Sequence, residues 1–203
     1  MPQVIEKLAY TYDELSDEAK AIARDQFRAH ALDYEWWEFV YDDADEIAKI
    51  LGIDIDRKGK NTPAIWFSGF WSQGDGACFE GSYRYARHSK KVIREHAPKD
   101  TELHSIADRL YALQRRNFFQ LTATVSHRGH YYHEFCTSID VYRDGYHADA
   151  DAAEDLADIL RDFMRWIYRR LEAEAEWLMS DECIEQGIDA AASQFNEDGT
   201  LFL

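Results

Sequence analysis

Cysteine, proline and long apolar runs are all scarce in this sequence of 203 residues. The three cysteines, Cys78, Cys136 and Cys183, stand far apart, which excludes a disulfide framework and a Cys-x-x-Cys metal site. Apolar runs are as short as residues 64–67, far below the roughly 20 residues of a membrane span. We therefore expect reduced thiols and no transmembrane helix.

The first residues give no secretion signal. Residues 1–7, MPQVIEK, lack the basic start and the apolar stretch of a signal peptide. We expect the protein to stay in the cytoplasm of the cell that makes it.

Catalytic signatures are also missing. The sequence has no Gly-x-Ser-x-Gly nucleophile motif, no P-loop and no His-Glu-x-x-His motif. Carboxylates such as Asp75 and Glu80 are so abundant that any pair is a weak indication of acid–base catalysis. We predict no catalytic residues and no cofactor, with a small-ligand or metal-binding enzyme as an alternative.

Helical patterns occupy much of the chain, and 46% apolar residues provide material for a core. An apolar face at helical spacing predicts a helix over residues 34–51, and Gly52 has the residue type that commonly ends one. Further helices are predicted over residues 16–31, 88–96, 101–116, 150–179 and 181–192. The inward side of the first helix should carry Ala19, Ile22, Ala23 and Phe27.

Two hairpins are predicted between these helices. Aromatic residues fill segments 62–70 and 78–85, which flank a glycine-containing loop at residues 71–77. Apolar residues alternate with polar ones over 119–125 and 132–142. We predict an α+β fold, with a four-stranded, mainly antiparallel sheet built from two hairpins and covered by helices on one face, and a long C-terminal helix. A single α+β domain should span residues 1–203.

The formal charge of −16 is distributed unevenly. Residues 1–83 carry a net charge of −9 and residues 140–203 one of −12, whereas residues 84–116 carry +5. Phosphate repels such an acidic chain, so we expect no direct binding to nucleic acid or to an anionic membrane, and a basic partner instead. The basic strip at residues 84–116 could bind a phosphate, but we expect it to pair with the acidic ends.

Two helices carry acidic outer faces. Their carboxylates are Glu35, Glu38, Asp42, Asp45 and Glu46 in the second helix, and Asp151, Glu154, Asp155, Asp158 and Asp162 in the long helix. Carboxylates three or four residues apart on a helix stand about 5–6 Å from each other, a spacing comparable to that of nucleic-acid phosphates. The rows could therefore imitate a DNA backbone; the alternative is that they are ordinary solvated faces.

Two loops carry further candidate residues. Trp71 and Asp75 lie on the glycine-flexed tip of the first hairpin, and tryptophan is enriched among binding hot spots. The alternative is that Trp71 folds back onto the sheet. His127, His130, His133 and Cys136 have the residue types of a zinc site, but alternation along a strand separates His130 from His133. We predict no metal site and a turn of polar and aromatic side chains.

The segment Phe67–Gly81, FSGFWSQGDGACFEG, resembles one in a family of phage and prophage proteins sometimes labelled antitoxin-like. Residues 12–16, YDELS, and 127–131, HRGHY, are further similarities, so the resemblance covers about residues 10–145. It implies a phage-borne accessory protein acting inside a bacterium. By analogy, small acidic phage proteins resemble inhibitors of host defence such as anti-CRISPR proteins.

Together these observations predict a non-catalytic inhibitor that binds a basic surface of a host nucleic-acid-handling defence complex. The contact residues would be the carboxylates of the two acidic helix faces with Trp71 and Asp75. An antitoxin that neutralises a cognate toxin is the alternative. The sequence indicates no oligomeric state.

Overall fold

The computed structural model describes residues 7–59 and 61–202. The chain forms two compact units, one within residues 1–36 and 173–203 and one within residues 37–172. We call them the terminal unit and the central unit. The prediction of a single domain over residues 1–203 stays a prediction. Among the described residues, no helix is both long and apolar enough to cross a membrane.

Six α-helices account for most of the regular structure of the described residues. They are α1 (Asp17–Arg28), α2 (Glu38–Leu51), α3 (Ser89–His96), α4 (Thr101–Arg116), α5 (Ala150–Leu178) and α6 (Asp181–Ala190). The bounds of α4 and α5 confirm the prediction to within one residue, whereas α2 begins four residues later than predicted.

Within residues 7–59 and 61–202, nine short strands form three sheets. They are β1 (Ile53–Ile55), β2 (Arg57–Lys58), β3 (Thr62–Pro63), β4 (Ile65–Phe67), β5 (Ala77–Phe79), β6 (Gly81–Arg84), β7 (Leu121–His127), β8 (Thr137–Arg143) and β9 (Tyr146–His147). The main sheet is antiparallel with the strand order β1-β6-β7-β8-β9, and β2-β3 and β4-β5 are separate pairs.

The helix ends follow the chemistry of their cap residues. Ser16 accepts a hydrogen bond from the amide of Ala19 at 3.2 Å, and Asp100 accepts one from Leu103 at 3.0 Å. Gly52 ends α2 with φ of 88°, where an added Cβ would lie 2.1 Å from the carbonyl oxygen of Arg84. Only glycine fits this left-handed position next to β6, so the predicted helix end is confirmed.

The α+β class and the antiparallel sheet are confirmed, but the sheet has five strands and not four. The predicted strand over residues 78–85 divides at Glu80: β5 pairs with β4, and β6 joins the main sheet. At Gly81 an added Cβ would lie 2.2 Å from the carbonyl oxygen of Asp54, so the division occurs where two backbones come together. The two-residue strand β9 supplies the far edge of the sheet.

One face of the main sheet is buried and the other is polar. Ile53, Tyr83, Ala123 and Val141 form one cross-strand row, and all four are buried. The row on the opposite face contains Asp54, Ser82, Thr124 and Asp140, which are exposed. The alternation predicted over residues 119–125 is therefore confirmed for residues 121–125, whereas Phe119 precedes β7 and is exposed, so its predicted inward position is wrong. The predicted second strand was too long, because residues 134–136 form a 3₁₀ turn before β8.

Helix stripes complete the core of the central unit. The predicted apolar faces of α2, α4 and α5 are buried at Val40, Tyr41, Ala44, Ile47, Ala48, Leu51, Leu103, Ile106, Ala107, Leu110, Leu113, Leu156, Ile159, Leu160, Phe163, Ile167 and Leu171. Burial of this many large side chains is the main stabilising contribution to the unit.

The terminal unit has its own small core. Its buried members are Tyr12, Leu15, Ala19, Ala23, Ile184, Ile188 and Phe195. Tyr12 donates to Glu185 Oε1 at 2.8 Å, and Arg24 donates to the same oxygen at 3.0 Å. The prediction that Ile22 faces inward is wrong: it is exposed, because α1 has only a narrow buried side formed by alanines.

Candidate binding surface

Two loops of the central unit meet at one place, and they are the two segments singled out in the sequence. The Ser68 hydroxyl donates to the carbonyl of Tyr132 at 3.1 Å. The amide of Gly76 donates to the same hydroxyl at 3.3 Å, and an added Cβ at Gly76 would lie 3.2 Å from His133 Cα. We call residues 68–76 the Trp71 loop and residues 128–136 the Tyr132 loop.

The Trp71 loop is held by its own carboxylate. Asp75 Oδ2 accepts hydrogen bonds from the amides of Trp71 at 3.0 Å and Ser72 at 2.7 Å. The amide of Asp75 donates back to the carbonyl of Ser72 at 3.1 Å. Asp75, predicted as a partner contact, is thus engaged in shaping the loop, and Trp71 projects from it with 77% of its surface exposed.

A ladder of aromatic rings supports this loop from below. The ring centroid of Trp37, the residue before α2, lies 5.8 Å from that of Phe67, and the Phe67 centroid lies 5.5 Å from that of Phe70. Phe70 in turn lies 5.9 Å from Trp71 and 5.6 Å from Tyr168 on α5. The rings are at distances typical of favourable aromatic pairs, so the exposed Trp71 has a packed base.

The Tyr132 loop adds more aromatic surface. The Tyr132 ring stacks on Trp66 at 6.0 Å, while Tyr131 and Phe135 are 73% and 62% exposed. The guanidinium groups of Arg161 and Arg165 lie 5.2 and 5.5 Å from the Phe135 ring. Sequence reasoning missed Tyr131 and Phe135 as surface aromatic residues, although it predicted an aromatic turn here.

The histidines of the Tyr132 loop have other partners. His127 Nε2 lies 2.9 Å from the carbonyl of Tyr131, and His133 Nδ1 accepts from the amide of Phe135 at 3.1 Å. Within residues 7–59 and 61–202, no group of three or more His, Cys, Asp or Glu side chains is placed to hold a metal ion. His127 and His133 thus contribute hydrogen bonds to the backbone of the loop.

The acidic residues of α2 divide into two kinds. Glu38, Asp42 and Glu46 are exposed at successive turns, and Glu46 comes within 3.8 Å of His96. Asp45 is only 5% exposed and pairs with Arg57 and, at 2.6 Å, with Lys49. The structure thus leaves no free surface at Asp45 for a partner, because the side chain lies on the inner edge of the helix.

Glu35 lies outside α2. It is exposed and precedes the helix, within the terminal unit. The predicted acidic face of the second helix is therefore represented in the central unit by Glu38, Asp42 and Glu46.

The acidic row of α5 is largely neutralised. Asp155 pairs with Arg116 at 2.9 Å, and Asp158 pairs with Arg161 at 3.1 Å. Asp162 pairs with Arg109 and, at 2.6 Å, with Arg165. Asp151 and Glu154 are exposed and have no ion pair among the described residues. The expected pairing between the basic strip and the acidic C-terminal part is thus confirmed for Arg109 and Arg116.

A polar cluster lies below the two loops. Lys58 Nζ lies 2.8 Å from Glu80 Oε2, and the amide of His127 donates to Glu80 Oε1 at 3.0 Å. The hydrogen bond from Lys58 and, to a smaller extent, the one from the His127 amide hold the pKa of Glu80 below its usual value, although partial burial acts in the opposite direction. Burial raises the pKa of the neighbouring Cys78 thiol to about 12. An ionised carboxylate with this firm pairing and a protonated thiol are poorly suited to general-base or nucleophilic roles at neutral pH.

Comparison with known proteins identifies a family. Searches of curated proteins and of solved structures find no match to this chain. A sequence model described as "Domain of unknown function (DUF8835)" matches residues 36–181, a range that contains the whole central unit and the two loops. Because this match covers more than half of the sequence, the chain belongs to the DUF8835 family.

Proposed function

We propose that the chain is a non-catalytic binding protein whose contact surface lies on the central unit. Trp71 is the anchor of this surface, the exposed carboxylates of α2 give it negative charge, and the partner presents basic side chains beside an apolar pocket. The observation that carries the proposal is the exposed Trp71 ring on a loop fixed by Asp75.

An exposed tryptophan in a fixed position suits binding for two reasons. Its large ring is costly to leave in water, and tryptophan is enriched among residues that dominate interface energies. The amides of Trp71 and Ser72 are already ordered by Asp75, and Phe70 is packed between Phe67, Trp71 and Tyr168. Less conformational entropy is therefore lost when a partner covers the ring.

The carboxylates of α2 supply attraction to a basic partner. Glu38 and Asp42 directly follow Trp37 and Tyr41, whose rings contact Phe67 at 5.8 and 6.5 Å. The acidic row thus starts beside the aromatic ladder that leads to Trp71. Successive members are four residues apart, about 6 Å along the helix axis. Such a row steers a basic protein surface toward the aromatic anchor.

The carboxylates of α2, and not those of α5, are the ones that would imitate the phosphates of a nucleic acid. Three of the five predicted carboxylates of α5 have arginine partners, which reduces the negative potential there. The sequence resemblance suggests the class of partner: a nucleic-acid-handling defence complex in the cytoplasm of a bacterial host, inhibited by a phage-encoded protein. The inhibitor would occupy a basic surface that otherwise contacts DNA or RNA.

Affinity capture from the bacterial host tests this proposal. The chain, the single variant Trp71→Ala and the double variant Glu38→Lys/Asp42→Lys would be used as baits at rising salt concentration. We expect both variants to lose a nucleic-acid-handling partner, and the unchanged chain to lose it as the salt concentration rises. The matched control is Asp54→Lys/Asp140→Lys, with the same charge change on the exposed sheet face.

If the partner is captured equally well at all salt concentrations and by both test variants, the proposed surface is contradicted. Specific capture of a small toxin encoded beside this chain would instead identify it as an antitoxin. Loss of capture in the sheet-face control as strongly as in the α2 variant would show that net charge, and not the acidic row, determines binding.

A further inference from the structure

A separate cavity of about 310 Å³ lies at the N-terminus of α3, away from the residues assigned to the Trp71 surface. Its lining includes five consecutive residues, Arg87, His88, Ser89, Lys90 and Lys91. These residues belong to the basic strip for which the sequence left phosphate binding open. In a chain with a charge of −16, these basic groups are concentrated around one cavity.

The first turn of α3 leaves backbone donors available. His88 adopts a left-handed conformation with φ of 69°, its side chain makes no capping hydrogen bond, and the turn contains no acidic residue. The amide of Lys90 donates no backbone hydrogen bond among the described residues, whereas those of Lys91 and Val92 donate to the carbonyl of His88. The positive end of the helix thus lacks an internal acceptor at Lys90.

Ser89 provides an independent indication of a ligand. The residue is only 5% exposed, it lines the cavity, and its hydroxyl has no hydrogen-bond partner among the described residues. Its Oγ is not among the buried side-chain atoms that lack a partner, so this oxygen keeps some accessible surface and is open to an acceptor that enters the cavity. An acceptor in the cavity would satisfy both this hydroxyl and the neighbouring amide of Lys90.

The charges at the cavity favour an anion. Arg87 is exposed and has no ion pair among the described residues. Lys91 Nζ lies 3.6 Å from Glu95 in an exposed pair that is weak. Lys90 Nζ is more firmly held, 2.9 Å from Asp108 and 4.9 Å from the Tyr111 ring. Arg87 is therefore the residue whose charge is most available to a ligand.

Aromatic rings form another part of the cavity lining. Tyr85 and Tyr111 both line it, and both pack against Phe119, at 4.6 and 5.9 Å between ring centroids. A phosphate ion alone would leave much of the volume empty. A phosphate ester with a planar organic group could place the phosphate at α3 and the planar group beside these rings.

We propose that this cavity binds the phosphate group of a phosphomonoester. The phosphate oxygens would accept hydrogen bonds from the Lys90 amide and the Ser89 hydroxyl, and the Arg87 guanidinium would supply a charge-assisted contact. The proposal does not depend on the Trp71 surface. Inorganic phosphate and a nucleoside monophosphate share this chemistry, and their affinities separate a site for phosphate alone from one that also uses the rings.

Amide-resolved NMR titration of the full chain tests the site at constant pH and ionic strength. The probes are inorganic phosphate, adenosine monophosphate and adenosine. We expect saturable shifts centred on Ser89, Lys90 and Lys91 with both phosphate compounds, tighter binding of adenosine monophosphate, and no saturation of these signals with adenosine. Arg87→Gln should weaken phosphate binding by about tenfold, and Ser89→Ala by about threefold to tenfold.

Matched controls are Arg170→Gln and Lys99→Gln, which remove the same kind of charge from exposed residues lining a different cavity. The controls should retain the affinity of the unchanged chain. Absence of saturable shifts, equal weakening in the controls, or adenosine binding as tight as that of adenosine monophosphate would each overturn the proposal. Because Arg87 is exposed, its variant tests the site even if Ser89→Ala disturbs folding.

Discussion

The hydroxyl of Tyr168 donates a hydrogen bond to the backbone carbonyl of Gly69 at 3.1 Å. This bond joins α5 to the Trp71 loop, and the Tyr168 ring also packs against Phe70 at 5.6 Å. Burial raises the pKa of Tyr168, so the hydroxyl remains a donor throughout the neutral range. The loop that presents Trp71 is thus fixed at its base by a helix nearly 100 residues further along the chain.

Replacing Tyr168 by phenylalanine should loosen the Trp71 loop without unfolding the chain. One hydrogen bond is lost and the ring contact is kept, so the free energy of unfolding should fall by about 0.5–1.5 kcal/mol. Hydrogen exchange should become faster in residues 69–76 and stay unchanged in β8. Tyr146→Phe is the control, because that hydroxyl is exposed and has no partner among the described residues. Equal exchange in both variants would show that the bond does not order the loop.

Asp45 and Asp42 should respond very differently to the same substitution. Asp45→Asn removes the charge that pairs with Arg57 and Lys49 at a buried position, so we expect a loss of about 1–3 kcal/mol in unfolding free energy. Asp42→Asn changes an exposed side chain and should stay within about 0.5 kcal/mol. Urea unfolding measures both. Equal losses would mean that the Asp45 pairs contribute nothing specific to stability.

The difference between these two residues marks a limit of sequence reasoning. Helical spacing predicted correctly that α2 has an apolar face, but it placed Asp45 on the outer side, near the boundary between the faces. Its arginine partner, Arg57, is 12 residues away in the sequence and lies on β2. Likewise, the partners of Asp155 and Asp162 come from α4, 39 and 53 residues earlier in the chain. Spacing within a helix carries no information about such distant counterions.

The same distinction explains which parts of the fold were predictable. The long apolar stripe of α5 has enough turns to fix its bounds closely, and Gly52 fixes the end of α2 by its left-handed backbone. Strands β1 and β9, with three and two residues, are too short to give a periodic pattern, so neither edge strand of the main sheet was predicted. The contact between Ser68 and Tyr132 joins residues 64 positions apart, and neither segment alone specifies it.

Glu80 gives a prediction about pH. Its pKa is lowered, chiefly by Lys58, so the ionised group stabilises the fold above the unfolded pKa, near 4.5, and this contribution is lost as the pH falls through the lower folded-state pKa. Glu80→Gln should therefore reduce the unfolding free energy by about 1 kcal/mol at pH 7. The difference from the unchanged chain should shrink steadily in acid.

Urea unfolding at a series of pH values measures this effect. Glu197→Gln is a suitable control, because that exposed carboxylate has no ion pair among the described residues. A stability difference for Glu80→Gln that is the same at pH 7 and at pH 3 would contradict the assigned role of the ionised carboxylate.

Cys78 should be the least reactive of the three thiols. It is fully buried on β5, and burial, followed by the neighbouring Cys136, raises its pKa to about 12, so very little thiolate is present at pH 8. Iodoacetamide should alkylate the half-buried Cys136 and Cys183 before Cys78, and peptide mass spectrometry measures the extent at each thiol.

Because β5 lies between the Trp71 loop and the main sheet, exposure of Cys78 requires opening of the central unit. The rate at Cys78 should therefore rise with urea in parallel with global unfolding. If Cys78 instead reacts as fast as Cys136 in the absence of urea, the β4-β5 pair must open independently of the sheet, and the fixed base assigned to Trp71 would be wrong.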